Sequence, residues 1–205
     1  MISIYDLKPK FQKMLQPFVT ICLKSNISAN FLTLASSGLT LVFCFLLVNI
    51  PLIAFAFYPF FEFLRMALNA LDGMVATQSG TSSKKGSLLN EGCDIFNDTV
   101  LGLSWLYLII QTIGLLGFLI FSLSICFSLV SEVAGIMGSS LVNKRVYGGP
   151  FGKSDKALFF SLAAILCLFS NMVVVLGAVC LISLVLSALT LKNKFDYILR
   201  EGSSS

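Results

Sequence analysis

Oxygen-bearing side chains recur at regular spacing in the most apolar part of this chain. Asp72, Asp94 and Asp98 lie inside long apolar segments. Asn69 precedes Asp72 by about one helical turn, and Asn90 precedes Asp94 by a similar interval. A carboxylate inside a membrane-spanning stretch costs roughly 2.5–3.5 kcal/mol on insertion scales. We therefore expect a chain that keeps several of them to have a functional role for them. Because hard divalent cations prefer oxygen ligands, the pattern predicts a metal site.

The spacing places these side chains on one face of each of two helices. The polar stripe of the first helix spans about 80° and comprises Glu62, Arg65, Asn69, Asp72 and Ala76. The stripe of the second spans about 100° and comprises Asn90, Glu91, Asp94 and Asp98. With a rise of about 1.5 Å per residue, Asp72 and Asp94 lie roughly 9 and 12 Å from the intervening loop, so the stripes meet at one depth. Glu62 and Arg65 are predicted to form an i, i+3 ion pair.

The elements that carry these residues are typical of an integral membrane protein. Of 205 residues, 57% are hydrophobic and 12% are charged, and the mean hydropathy is +0.91. Six apolar segments approach the roughly 20 residues that a spanning helix needs: 31–50, 52–77, 87–110, 113–138, 157–170 and 172–191. We therefore predict an all-α bundle of six transmembrane helices at 28–191, within one membrane domain over 1–205. Residues 1–27 are predicted to form an amphipathic interfacial helix, and 192–205 a cytoplasmic tail.

Basic residues indicate the orientation of the bundle. Apart from Arg65, every Lys and Arg lies in the N-terminal segment, at 78–86, at 139–156 or after 191. These are the connections on one side of an up-and-down chain of six helices, and the positive-inside rule makes that side cytoplasmic. The metal site is then predicted to face the cytoplasm. The net charge of +4 is explained by orientation and lipid headgroups, and no nucleic-acid partner is expected.

Residue types that are absent or scattered exclude other chemistry. The chain has no histidine, which excludes His-based catalysis and His–metal ligation. Its six cysteines are dispersed singly, without the paired spacing of a zinc site, and are interpreted as buried apolar residues. Intramembrane acids also occur in ion carriers. A carrier, however, has no need of the small residues beside these acids, which let the backbone approach a bulky ligand: Gly73, Ala76 and Gly86.

The acids and small residues together form a longer motif. In order and spacing it resembles the signature of the CDP-alcohol phosphotransferase family, D-x-x-D-G-x-x-A-R-x8-G-x3-D-x3-D. The residues that follow this signature are Asp72, Gly73, Ala76, Gly86 and Asp94. The segment 28–33, the count of six helices and the placement of the motif on the second and third helices also agree. The likeness extends along most of the chain. Within the family, the chain resembles a bacterial branch with uncharacterised acceptor specificity.

This resemblance implies a transferase of phospholipid biosynthesis in the bacterial inner membrane. Family members transfer a phosphatidyl or substituted phosphate group from a CDP-linked donor, here CDP-diacylglycerol, to an alcohol acceptor and release CMP. Their carboxylates hold two divalent ions, Mg²⁺ or Mn²⁺, on the pyrophosphate, and one carboxylate takes the proton of the acceptor hydroxyl. The resemblance also implies a homodimer. The alternative is a catalytically weakened member that binds lipid or partner proteins without turnover.

Three positions depart from the signature. Asn69 replaces its first Asp, Thr77 its Arg and Asn90 its third Asp, and in this ungapped register Asp94 is the base. A register shifted by one turn assigns the last two acids to Asp94 and Asp98, and restores one negative charge. We favour Asp98 over Asp94 as the base, with Asp94 as the open alternative. The predicted metal ligands are Asp72, Asp94 and Asp98 as a core set, with Asn69 and Asn90.

Donor binding is predicted for the small and polar residues beside the acids. By the resemblance, the nucleotide-binding residues are Gly73, Ala76, Thr77 and Gly86. The loop before the fifth apolar segment adds cations on the same side as the acids, namely Arg145, Lys153 and Lys156. These cations are predicted to bind donor or acceptor phosphate, and the alternative is that they only orient the bundle.

Overall fold

The computed structural model describes residues 8–142, 146 and 148–202. This part of the chain contains seven α-helices and no β-strand, which confirms the all-α prediction. The helices are α1 (Lys8–Lys24), α2 (Ala29–Asn49), α3 (Pro51–Gln78), α4 (Lys84–Ile113), α5 (Leu115–Leu141), α6 (Lys153–Phe169) and α7 (Met172–Gly202). Each predicted apolar segment corresponds to one of α2 to α7. The last helix continues past residue 191, so most of the predicted tail is helical.

Five of the described helices, α2 to α5 and α7, are long and apolar enough to cross a membrane. The sixth predicted span corresponds to α6, which has only 17 residues, fewer than the roughly 20 that a perpendicular span needs. The count of six spans therefore stays a prediction. The N-terminal segment contains a helix, α1, whose place at the membrane interface is also a prediction. Residues 1–7 of that segment lie outside the described residues.

The chain divides into two compact units, Met1–Leu101 and Gly102–Ser205. In the first unit, α3 packs against both α1 and α2. The rings of Phe43 on α2 and Phe61 on α3 stack with centroids 3.9 Å apart. The contact of α1 with α3 is an apolar core that includes Leu15, Val19, Leu71 and Val75. Burial of these apolar side chains positions α3, which carries Asn69 and Asp72, against its neighbours.

Local signals determine where the helices of the first unit begin and end. Ser28 caps α2, and its side-chain oxygen accepts a hydrogen bond from the backbone N–H of Phe31 at 3.2 Å. After the end of α3, Gly80 adopts a φ of +68°, a conformation that glycine adopts without steric cost. The chain then reaches Lys84, the first residue of α4, within a short loop. The same connection thereby places the start of α4 close to the end of α3.

In the second unit, α7 packs against α5 and α6. The segment before α6 is held to α7, because the backbone N–H of Phe151 donates to the Thr190 hydroxyl at 2.9 Å. Gly149 has a φ of +135° and lies so close to Thr190 that any Cβ there would clash. An aromatic cluster fills the interior of this unit: Trp105, Phe121, Phe151, Phe159 and Phe160.

Candidate functional site

A cavity of about 520 Å³ lies in the first unit, between the start of α2, the last turns of α3 and the first turns of α4. Six of the predicted site residues line it: Asp72, Gly73, Ala76, Thr77, Gly86 and Asn90. The remaining wall is formed mainly by hydroxyl and amide side chains, including Asn26, Ser28, Asn30, Ser79, Thr81, Ser82, Ser83 and Ser87. The positions of the family signature from Asp72 to Asn90 thus surround one space.

Asp72 is the carboxylate that lines this cavity. Its residue is 2% exposed, and its Oδ2 accepts a hydrogen bond of 2.7 Å from the hydroxyl of Thr33. Thr33 lies one turn into α2, so this bond connects α2 to α3. A buried carboxylate needs such donors because burial removes it from water. The bond therefore holds the Asp72 side chain at the cavity wall.

Asn69 connects three helices. Its Oδ1 accepts a hydrogen bond of 2.8 Å from the Ser36 hydroxyl on α2. Its Nδ2 donates to Asp94 Oδ1 on α4 at 2.6 Å. Since an ionised carboxylate can only accept hydrogen bonds, the amide nitrogen must face Asp94 and the amide oxygen must face Ser36. Both ends of the Asn69 side chain are therefore engaged within the protein.

Asp98 forms a buried ion pair with Arg65. The Arg65 Nη1 lies 2.7 Å from Asp98 Oδ1, and its Nη2 lies 3.0 Å from Glu62 Oε2. The predicted pair of Glu62 with Arg65 is confirmed, whereas the partnership with Asp98 was not predicted. Arg65 is 5% exposed, and its single positive charge is shared by two carboxylates. This cluster links α3 to α4 one to two turns away from Asn69 and Asp94.

Two glycines and one amide shape the wall of the cavity. A Cβ on Gly73 would meet no atom within 4 Å, whereas a Cβ on Gly86 would lie 3.3 Å from Ser83 Oγ and 3.4 Å from Asn30 Oδ1. Gly86 therefore lets the start of α4 approach the start of α2 closely. Asn90 Oδ1 is buried and has no hydrogen-bond partner. A buried carbonyl oxygen of this kind is suited to a ligand.

Each of the three acids of the predicted core set accepts a hydrogen bond from a different residue. Asp72 accepts from Thr33, Asp94 from Asn69, and Asp98 from Arg65. Within the described residues, no three Asp, Glu or Cys side chains form a group that could hold one metal ion. Thr77 lies at the cavity, where its hydroxyl donates to the Gly73 carbonyl at 2.8 Å.

The predicted phosphate-binding cations belong to the second unit. Lys156 Nζ lies 2.5 Å from Glu132 Oε1 and donates to the Ser128 hydroxyl at 3.1 Å. Lys153 is the first residue of α6 and is half-buried. Arg145 lies outside the described residues. Phosphate binding by these residues stays a prediction.

Thr33 and Ser36 are site residues whose contacts were not predicted from the sequence. A signal for them exists, because the polar side chains of α2 between its terminal asparagines are hydroxyls on one face of the helix: Thr33, Ser36, Ser37 and Thr40. Such spacing marks one face of a helix. A hydroxyl, however, can also bond to its own helix, as Thr40 does with the Ser36 carbonyl at 2.9 Å. The stripe alone therefore does not identify its partner helix.

Comparison with known proteins finds a sequence relative and several structural neighbours. The chain is 36% identical over 162 residues to the inner membrane protein YnbA of Escherichia coli (strain K12), which is 78% of either sequence. Phosphatidylinositol phosphate synthase (PgsA1) of Mycobacterium tuberculosis with CDP-DAG bound has a TM-score of 0.72 at 14% identity, covering 91% of this chain and 94% of that one. The same enzyme with manganese and citrate has a TM-score of 0.69 at 14% identity, covering 89% and 88%. No protein-family model matches the chain.

The fold is therefore that of a CDP-alcohol phosphotransferase, as the signature predicted. Within that fold, the chain belongs to the same family as YnbA, because the identity is 36% over more than two thirds of its length. The resemblance stated from the sequence is confirmed at this level. The roles of the individual site residues stay predictions.

Proposed function

We propose that this protein transfers a phosphatidyl or substituted phosphate group from a CDP-linked lipid, CDP-diacylglycerol, to an alcohol acceptor and releases CMP. One observation carries the proposal. The cavity of the first unit brings Asp72 and Gly73 of α3 together with Gly86 and Asn90 of α4, all of them positions of the family signature. The fold is also that of PgsA1, which has been solved with CDP-DAG bound. The reaction belongs to phospholipid biosynthesis.

The cavity suits a nucleotide diphosphate in its shape and polarity. Its wall of hydroxyls and amides offers hydrogen bonds to a polar ligand, and Gly73 leaves space above the backbone of α3. Thr77, in the last turn of α3, replaces the Arg of the signature. At this part of the wall the donor would therefore contact neutral side chains. Phosphate binding by Lys153, Lys156 and Arg145 is proposed from the sequence alone.

Divalent metal, Mg²⁺ or Mn²⁺, is proposed as the cofactor. The residues present fit such an ion, because Asp72 offers a carboxylate at the cavity and Asn90 Oδ1 is a buried oxygen that accepts no hydrogen bond. When bound, the metal would polarise the attacked phosphate and neutralise charge on the departing CMP. Asp72, whose side chain is held by the hydrogen bond from Thr33, would bind the metal and so help to orient the donor.

The geometry favours Asp94 over Asp98 as the group that takes the acceptor proton. Asp98 is engaged by Arg65 in a buried ion pair, and acceptance of a proton would disrupt that pair. Asp94 accepts a hydrogen bond of 2.6 Å from the Asn69 amide, which orients its carboxylate. The ungapped register, with Asp94 as the base and Asn90 at the third acidic position, is therefore the one we propose. Asp98 becomes a positioning residue through Arg65.

We further propose a multi-pass protein of the bacterial inner membrane whose site faces the cytoplasm. Five helices can span by length and composition, and YnbA is an inner membrane protein. We include α6 as the sixth span of a single membrane domain. Helix α1 fits a place at the interface, because it buries one apolar face against α3 and exposes a second one that includes Met14, Phe18 and Ile21. A homodimer is proposed from the family resemblance alone.

A weakened, non-catalytic member is the second candidate function. The observation that favours it is the replacement of two acids by Asn69 and Asn90, which removes two negative charges from the site. Such a protein would bind CDP-lipid without transferring its phosphate group.

Release of CMP distinguishes these two candidates. Purified full-length protein would be incubated with CDP-diacylglycerol, Mg²⁺ or Mn²⁺ and a panel of alcohols, namely glycerol phosphate, inositol, inositol phosphate and serine. We expect acceptor-dependent CMP release with at least one alcohol, and its loss when the metal is chelated. Binding of CDP-diacylglycerol with no CMP release for any acceptor would instead support the second candidate.

A further inference from the structure

We infer that this chain binds a single divalent cation, at Asp72 and Asn90, in place of the two ions that the family resemblance implies. The inference deepens the proposed function and rests on it for the class of metal. It follows from what the side chains of Asn69, Asp94 and Asn90 do in the structure.

The Asn69 amide lies between α3 and α4, against the Asp94 carboxylate. Two carboxylates at positions 69 and 94 would repel each other at hydrogen-bond distance and would need a cation or a proton between them. Here the amide N–H of Asn69 meets Asp94 Oδ1 at 2.6 Å. The positive end of the amide dipole therefore takes the role of the shared cation.

Asn69 also has no oxygen to offer a metal at this place. Its Oδ1 accepts the Ser36 hydroxyl at 2.8 Å, and the Asp94 carboxylate fixes this orientation because it accepts hydrogen bonds only. A metal that approached Asp94 from the side of Asn69 would meet N–H groups, which cannot be ligands. Of the two asparagines at acidic positions, only Asn90 lines the cavity.

The charge at the cavity fits one ion. Among the described residues that line it, Asp72 is the only one with a formal charge. Mg²⁺ is commonly held by one or two protein carboxylates, with waters and substrate phosphates completing its shell. Asp72 and the buried Asn90 Oδ1, with waters or a pyrophosphate at the remaining positions, therefore suffice for one divalent ion. Two ions would bring four positive charges to a wall with one negative charge.

The number of bound ions can be measured without turnover. Full-length protein in detergent would be titrated with Mn²⁺ alone, and free Mn²⁺ would be followed by its electron paramagnetic resonance signal. We expect one site per chain in the wild type and two in Asn69→Asp, because the new carboxylate shares a cation with Asp94. Asn171→Asp is the matched control, since Asn171 caps α7 with its side-chain oxygen and an Asp can do the same. It should keep one site.

Thermal unfolding provides a second readout on the same variants. Without metal, Asn69→Asp should unfold at a lower temperature than the wild type, because two carboxylates then face each other. Saturating Mn²⁺ should raise its midpoint by more than it raises that of the wild type, since a ligand stabilises the state that binds it. Equal metal-induced shifts in the two proteins would contradict the role assigned to Asn69.

Failure of the inference can be distinguished from failure of the proposed function. Two Mn²⁺ sites, or none, in the wild type would overturn the single-ion inference, even if CMP release is measured. One site in the wild type that Asp72→Asn abolishes would support it, even if no acceptor yields CMP. In that second case the transferase function would fail while the metal site would stand.

Discussion

At the scale of single residues, the site differs from its family signature by two asparagines and one threonine. Asn69 is a structural link whose two polar atoms bond to Ser36 and Asp94, whereas Asn90 lines the cavity and its buried Oδ1 has no hydrogen-bond partner. Chemically similar replacements therefore have different consequences. The proposed assignment of the base to Asp94 rests on the same reasoning, because Asp94 bonds to Asn69 and Asp98 to Arg65.

Substitution of these two acids tests the choice of base. Asp94→Asn should lower CMP release by about 10²–10⁴-fold, the usual effect of removing a positioned general base. Asp98→Asn should retain measurable turnover, because an amide oxygen can still accept from Arg65. The measurement is the initial rate of CMP release at saturating metal. Loss of turnover in a folded Asp98→Asn protein, with Asp94→Asn still active, would restore the shifted register.

At the scale of helices, the sequence predicted that two polar stripes meet at one depth, and the side chains of α3 and α4 do meet. The bond between Asn69 and Asp94 and the ion pair between Arg65 and Asp98 both join the two helices. Helical periodicity predicts which residues share a face, because only the spacing along the chain is needed. It does not predict which neighbouring helix that face meets, since this depends on how the helices pack.

The partners of Asp72 and Asp98 illustrate what the sequence could not supply. Asp72 bonds to Thr33 on α2, and Asp98 bonds to Arg65 on α3. Each choice depends on rotation and axial offset between helices, which one sequence does not reveal. A clue to the second pair was present, because Arg65 is the only cation outside the charged connections and has acids on two helices near its depth. The sequence prediction paired Arg65 with Glu62 and did not include Asp98.

The buried charge cluster between α3 and α4 makes a prediction at the same scale. Arg65→Met removes the cation that Glu62 and Asp98 share and should destabilise the protein by roughly 3–5 kcal/mol, the usual effect of breaking a buried pair. Arg200→Met, at an exposed position of α7, is the matched control and should change stability little. Thermal unfolding in detergent measures both. A small loss for Arg65→Met would mean that the two carboxylates are not held by this cation.

At the scale of the whole molecule, the charge distribution and the helix lengths favour one orientation in a membrane. The all-α class and the helix positions were predictable, because long apolar segments separated by polar turns leave few alternatives. The count of spans was less certain because α6 is only 17 residues long. The position of α1 at the membrane interface depends on its contacts with lipid, whereas the sequence pattern determines only which of its faces are apolar.

Cysteine labelling tests the proposed orientation. In a variant with the native cysteines replaced, Ser82→Cys lies in the connection between α3 and α4, and Asn171→Cys lies in the connection between α6 and α7. A membrane-impermeant maleimide should label position 82 from the cytoplasmic side and position 171 from the opposite side. Labelling of both positions from the same side would contradict the proposed topology and the span assigned to α6.

We propose that the cavity around Asp72 is the site of metal-dependent transfer from a CDP-linked lipid. The most direct test compares CMP release from CDP-diacylglycerol by the wild type, Asp72→Asn and Asp196→Asn, with the acceptor panel and Mn²⁺ present. Asp196 is a partly buried residue near the end of α7, so its change to Asn is the matched control. We predict CMP release by the wild type and by Asp196→Asn, and none above background by Asp72→Asn. Equal release by all three proteins would contradict the claim.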